Sequence, residues 1–217
     1  MAKINSINNA SSQLTIDPGA SGDSFVQFDI NAIGEFRIGV DDNASDAFKI
    51  SQGSALGTND TFVMTAAGER TMPLQPAFLV RIDGDVSNVT GDGTIYTLVY
   101  DAETFDVGSN FSTSTFTAPI AGKYFFNFSI NLANVNTFTS VQSTIICSTA
   151  GSFQNQGYVI AGQNSMSAQM QLFVVLAASE TVTTSVRVLG GSKTVDIQGN
   201  SGTGGFVVSF FSGVLIC

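Results

Sequence analysis

The sequence predicts an all-β protein in which an antiparallel jelly roll over residues 76–217 follows a short intertwined trimeric β shaft over residues 1–75. Three observations predict it. Apolar residues alternate with polar ones at period two, while helical spacing is nearly missing. Clusters rich in Gly, Asn and Ser punctuate the alternation at short intervals, as in β sandwiches and jelly rolls. Charge is divided unevenly: residues 1–106 hold 15 of the 17 acids and 5 of the 8 bases, and nothing between Lys123 and Glu180 is charged.

Within the jelly-roll region, Tyr124, Phe126, Phe128, Ile130 and Leu132 alternate with Phe125, Asn127, Ser129 and Asn131, which marks a strand with one apolar face. Ala168, Met170, Leu172 and Val174 form a second such row, and Thr184, Val186 and Val188 a third. Phe206, Val208 and Phe210 form a fourth. Turns are expected at Asn134–Asn136, Ala150–Gly157, Gly162–Ser167, Gly190–Ser192 and Gly199–Gly205. The longest apolar run, Leu172–Ala178, suits a buried strand and is far short of the ~18–20 residues that span a bilayer as a helix. So bare a half-chain is expected to be covered by other subunits, because lone soluble domains keep apart through surface charge; a surface dressed in Ser, Thr and Asn is the alternative.

Residues 1–75 carry a short recurring pattern: Asp23-Ser24-Phe25, Asp46-Ala47-Phe48 and Asp60-Thr61-Phe62. Strand-like pieces surround it at Phe25–Ile30, Glu35–Val40, Phe48–Ser51 and Phe62–Ala66. This segment has too few apolar residues to close a core, so its units are expected to pair with copies of themselves. In a parallel three-chain bundle, Phe25, Phe48 and Phe62 would meet their mates at the common axis. Gly68–Pro76 reads as the junction, since its two prolines favour an extended connection.

Composition excludes several functions. With no histidine, no Ser–His or Cys–His nucleophile and no His-ligated zinc can be built. A formal charge of −9 argues against binding nucleic-acid phosphates. The N-terminal Met1–Ser6 has no signal-peptide hydrophobic segment, so export by another route, or a longer parent chain, is expected. Cys147 and Cys217 are expected to be buried thiols; a disulfide is the alternative. Asn-x-Ser/Thr triplets at Asn43, Asn59, Asn88, Asn110 and Asn127 arise by chance in so Asn- and Ser-rich a chain.

Carboxylates are the remaining acid–base groups, densest at Asp41-Asp42 and at Asp101, Glu103 and Asp106. Sequence neighbours on a strand face opposite ways, so Asp41-Asp42 makes a poor glycosidase pair, and no catalytic activity is expected. Asp83, Asp85 and Asp92 lie in one predicted loop with Asn88 between them. All-oxygen ligands suit Ca²⁺, the one cofactor considered, but the spacing fits no EF-hand and a polar turn is the alternative.

From Phe78 onward the chain resembles the complement C1q and tumour-necrosis-factor-like jelly rolls. Phe116-Thr117-Ala118-Pro119-Ile120-Ala121-Gly122-Lys123-Tyr124-Phe125-Phe126 is similar to that family's Phe-Thr-x-Pro-x-x-Gly-x-Tyr-x-Phe signature, and Phe211-Ser212-Gly213-Val214-Leu215 resembles its closing strand. Ser179-Glu180 stands where the family has Gly-Asp in a turn. Residues 36–62, through Phe36-Arg37-Ile38-Gly39-Val40, Asp46–Ser51 and Leu56–Phe62, resemble the β shafts of phage tail fibres and of adhesive trimeric fibres of predatory bacteria. Both resemblances imply a homotrimer, and the first implies a calcium site at the apex of some members. The lack of a Gly-x-y collagen stalk favours a phage virion or a bacterial cell surface as its place.

The function expected from these resemblances is a fibre-tip adhesin that recognises a target-cell glycan or outer-membrane protein, with no nucleic acid and no membrane insertion. The tip loops expected to bind carry Asp83, Asp85, Asn88, Asp92, Asn134, Asn136, Gln163, Asn164 and Asn200, with Tyr158 as a possible aromatic platform. A structural cap of a spore-coat or envelope fibre is the second class, and a polysaccharide depolymerase the third.

Overall fold

The structure, a computed structural model, describes residues 16–19, 21–30, 34–200 and 205–216. The chain divides into two compact units with the boundary between Gln75 and Pro76. Among the described residues every regular element longer than the three-residue 3₁₀ turn at Asp42–Ala44 is a β-strand. No helix is long and apolar enough to cross a membrane.

The first unit is one antiparallel meander. Strands β1 (Ser24–Ile30), β2 (Gly34–Asp41), β3 (Ala47–Gln52), β4 (Asp60–Met64) and β5 (Arg70–Thr71) pair in chain order, each with the next. Strand pairing is thus satisfied within one chain. What is left open is a face. The register aligns Val26, Ile38, Ile50 and Phe62, and in the neighbouring row Val40, Phe48 and Met64. With Phe28, Ile30 and Phe36 these make one face that is apolar except for Ser24, Gln52 and Arg70 at its margins. None of its ten apolar side chains is buried; Phe28 is 59% exposed and Ile30 72%.

The opposite face is polar and closed. Lys49 Nζ lies 2.8 Å from Asp41 Oδ2 and 3.0 Å from Asp60 Oδ2, and all three side chains are largely shielded. Gly57 passes so close that a Cβ there would sit 2.8 Å from Asp41 Oδ2, which shows the 53–59 loop lying over the ion pair. The hydrogen bond to Asp41 raises the Lys49 pKa above its usual value. Asp60 is lowered: burial opposes this, but Ser51 and Lys49 outweigh it. Arg37 spans Gly53 O (2.8 Å) and Gln27 Oε1 (2.9 Å) and rests over the Phe25 ring at 5.1 Å. Phe25 therefore belongs to the polar face, opposite Phe48 and Phe62. It pairs with Gly39, which pairs with Lys49, one residue out of register with Phe48. Val26 stands where the Asp-x-Phe repeat places Phe25.

The second unit is a two-sheet sandwich. One sheet holds β6 (Ala77–Arg81), β7 (Val86–Thr90), β9 (Ala102–Val107), β12 (Gly122–Ala133), β15 (Ser165–Leu176), β17 (Val195–Gln198) and β18 (Phe210–Leu215). The other holds β8 (Ile95–Thr97), β10 (Phe111–Ser112), β11 (Thr115–Thr117), β13 (Ser140–Cys147), β14 (Gly151–Tyr158) and β16 (Thr181–Leu189). Chain order alternates between sheets through β12 to β17, with β13–β14 the one hairpin within a sheet, which is the jelly-roll path.

The predicted aromatic strand is β12, the spine of its sheet. It pairs with β15 along one edge and with β17 and β18 along the other. Tyr124, Phe126, Phe128, Ile130 and Leu132 are all fully buried. Phe78 stacks on Phe111 and Phe116 at centroid distances of 4.9 and 5.0 Å and meets Phe211 edge-on at 5.0 Å. Gly213 leaves the space these rings occupy: a Cβ there would lie 2.5 Å from Phe78 and 2.7 Å from Phe126. Cys147 is a buried free thiol, pushed up to about 11 by burial and then by the Glu180 charge. Cys217 and residues 1–15 lie outside the described residues.

Three predicted segments are different in the structure. Residues 151–158 form β14 rather than a loop. It is an edge strand with only Phe153 packed on the core, so Gly, Ser and Gln suffice along it. Phe206–Val208 are not strand, and β18 starts at Phe210. The apolar run 172–178 is also not buried on both faces: β15 is an edge strand with Phe173 and Val175 71% and 67% exposed.

The turn at Ser179-Glu180 is closed by a carboxylate. Glu180 accepts from Ala150 N (2.5 Å), Thr149 N (2.8 Å) and Ala177 N (3.1 Å), and the Ala150 bond leads in holding its pKa below the usual value. Ser179 has φ 68°, the left-handed region that glycine adopts without strain. Ser179→Gly should therefore stabilise the jelly roll by about 0.5–1 kcal/mol in urea unfolding. Gly213→Ala should destabilise it by about 1–3 kcal/mol in the same measurement, because the new methyl group has only ring atoms to displace.

Candidate functional site

Strand direction sorts the loops of the jelly roll. The chain enters β6 at Pro76, whose carbonyl accepts from Leu215 N (2.9 Å) at the end where Ala118–Gly122 and Ala177–Glu180 also lie. β6, β12, β14 and β16 run away from that end, and β13, β15 and β17 start at the other. Residues 82–94, 134–139, 159–164, 190–194 and 199–200 thus gather around the far side, which makes it the tip of this unit.

The predicted tip residues fall into two groups there. Asp83, Asp85, Asn88, Asn134 and Asn200 hold the tip together. Asp83 Oδ1 takes the Arg81 Nε hydrogen at 2.8 Å, and its own N–H donates to Asp101 Oδ1 at 2.7 Å. Asp85 Oδ1 accepts from Gly199 N at 2.8 Å, and Asn200 N donates to Ile82 O at 3.0 Å. Asn88 and Asn134 both adopt left-handed backbone, φ 57° and 62°, which Asn tolerates better than most residues. Asp196 links them: its Oδ1 accepts from Asn88 N (2.7 Å) and its Oδ2 from Asn134 Nδ2 (2.8 Å).

Asp92, Asn136, Gln163 and Asn164 form the second group, and their side chains face solvent. Asp92 Oδ1 accepts from Thr94 N (3.0 Å), and the Thr94 side-chain hydrogen bond leads in lowering its pKa. The loops beneath these residues are pinned by backbone. Val135 N donates to Asn164 O (3.2 Å), Gln163 N to Ile160 O (3.1 Å), and Gly93 N to Val188 O (3.0 Å). Tyr158, at the tip end of β14, is 74% exposed.

Sequence reasoning missed Asp196, the hub of the first group, and Arg187, whose Nε donates to Gly93 O at 2.8 Å. Both face partners about 100 residues away, which no local spacing reveals. A single acid placed in the charge-poor half was the available signal.

The geometry does not gather Asp83, Asp85 and Asp92 into one set of ligands. Their carboxylates serve three separate donors, and no group of three or more acidic or cysteine side chains is placed to hold a metal among the described residues. The dense acids elsewhere are turn acceptors too. Asp106 Oδ2 takes Phe111 N (2.8 Å), Asp101 takes Asp83 N, and Asp41 is bound to Lys49.

A second surface lies along the side of the unit. β14 and β15 are the edge strands of their two sheets, and neither carries a charged residue. β15 pairs with β12 through all twelve residues without a bulge. Phe173, Val175 and Ile216 line an open groove of about 360 Å³ beside Lys123.

No family model matches the chain, and no curated protein matches it. Among solved structures, it is similar to the globular domain of a zebrafish complement 1qA protein, at 15% identity and TM-score 0.44, over 66% of this chain and 98% of that one. It is also similar to murine APRIL, at 7% identity and TM-score 0.47, over 65% and 99%. A third similar structure is Eiger TNF from S. frugiperda, at 14% identity and TM-score 0.44, over 66% and 94%. The jelly-roll assignment rests on the strand order and register of residues 76–216.

Asp196→Ala should leave the sandwich folded and loosen its tip. The expected loss is about 1–2 kcal/mol for two exposed hydrogen bonds, with faster amide exchange at Asn88 as the direct readout.

Proposed function

We propose that the chain is the tip of a homotrimeric fibre on a phage virion or bacterial cell surface, and that its jelly-roll end binds a target-cell glycan or outer-membrane protein. One observation carries the reading. At the end opposite chain entry, loops from both sheets are tied to Asp196 and to β16, and they hold Asn136, Gln163 and Asn164 out to solvent. Neutral amides donate and accept at once, which suits sugar hydroxyls, and Tyr158 offers a ring face nearby.

The trimer is supported by the side of the same unit. A long edge strand without charge, proline or bulge is one that natural proteins cover, since its open backbone groups template aggregation. β15 has none of these protections and exposes Phe173 and Val175 besides. Residues 1–75 are read as the shaft. Three copies of a weak tip site on one axis give avidity. No chemical step on the ligand is invoked.

The test pairs mass with binding. Light scattering should give about three times 22.7 kDa for the intact chain. A chain carrying Asn136→Ala, Gln163→Ala and Asn164→Ala should keep that mass and lose at least tenfold in binding to the target cells. Unchanged binding would make the jelly roll a structural cap, and a mass of 22.7 kDa would end the fibre reading.

A further inference from the structure

We infer that the apolar face of the β1–β5 sheet is itself an interface between copies of this chain, formed by Val26, Phe28, Ile30, Phe36, Phe48 and Phe62 rather than by the Asp-x-Phe phenylalanines alone. The inference rests on the homotrimer reading and adds a contact separate from the jelly roll.

Burial in this unit is the reverse of the usual order. The charged face is shielded: Arg37, Asp41 and Lys49 are each 7% exposed or less. The apolar face is open, with Phe28 59%, Phe36 46% and Ile30 72% exposed. At roughly 150–200 Å² per side chain, the five most exposed residues open on the order of 400 Å². That reaches the size of the largest patch on an ordinary monomer, roughly 300–600 Å². It is about half of what each partner gives to a specific interface, about 800 Å², before the half-buried rows are added.

The occupant follows from charge. One charged residue lies on this face, Arg70 opposite Met64 at its β5 edge, so a partner must be largely apolar, as obligate homo-oligomer interfaces are. The opposite face carries Asp29, Glu35, Asp41 and Asp60 against Arg37 and Lys49. Copies joined by their apolar faces keep these acidic faces outward and apart. A bilayer is disfavoured, because anionic headgroups would meet an acidic unit: residues 16–75 hold nine acids against three bases. A second copy supplies a matching apolar face at equal concentration.

Val40, 37% exposed on the apolar face, and Thr71, exposed on the polar face, provide the test. Each is changed to Cys in a full-length Cys217→Ser chain. Cys147 stays, since its buried thiol at about 11 is unreactive near neutral pH. A bismaleimide is used, because its reach relaxes the short Cα–Cα distance that a disulfide demands. Val40→Cys should form a covalent pair of chains at least tenfold faster than Thr71→Cys. Equal rates, or no pair in a chain that still has three times the monomer mass, would overturn this interface and leave the trimer reading standing. A monomer mass in the parent chain would overturn both.

Discussion

Both units depend on one constraint: a β-sheet with an apolar face must have that face covered. In the jelly roll β12 meets the constraint internally. Its five inward side chains are fully buried, and Phe78, Phe116, Phe126 and Phe211 lock the second sheet onto them through ring contacts. Gly213 is required because that cluster leaves no volume for a methyl group. Everything at the tip is held in place by strands that this core positions.

In the first unit the constraint is not met by the chain's own described residues. A single meander has two faces, and the 53–59 loop covers only the charged one. Lys49 there neutralises Asp41 and Asp60 in a shielded site, where removing one partner would strand a charge. The polar side is thus covered by the chain itself, and the apolar side is left open among the described residues.

The tip shows how the same residue types divide between support and display. Asp and Asn dominate the predicted loops, but five of the nine predicted residues bind the loops to one another. Satisfied polar groups fix these loops to one another, so their backbone conformation is set by the fold. The side chains of Asn136, Gln163 and Asn164 are left facing solvent.

The sequence by itself determined the all-β class, the central aromatic strand and the four main strands of the first unit, because alternation at period two is local and strong in those stretches. It also exposed the charge-poor half, where edges and faces stand open. Tertiary structure decided which face each residue takes. Phe25 and Phe48 follow the same Asp-x pair yet point oppositely, since register with Gly39 and Lys49 sets the side and a one-residue offset reverses it. It decided that 151–158 is a strand, because an edge strand needs backbone partners more than apolar residues. It also gave Asp83, Asp85 and Asp92 separate hydrogen-bond partners and brought Asp196 to Asn88 and Asn134, because partners 108 and 62 residues apart meet only when the sheets are packed.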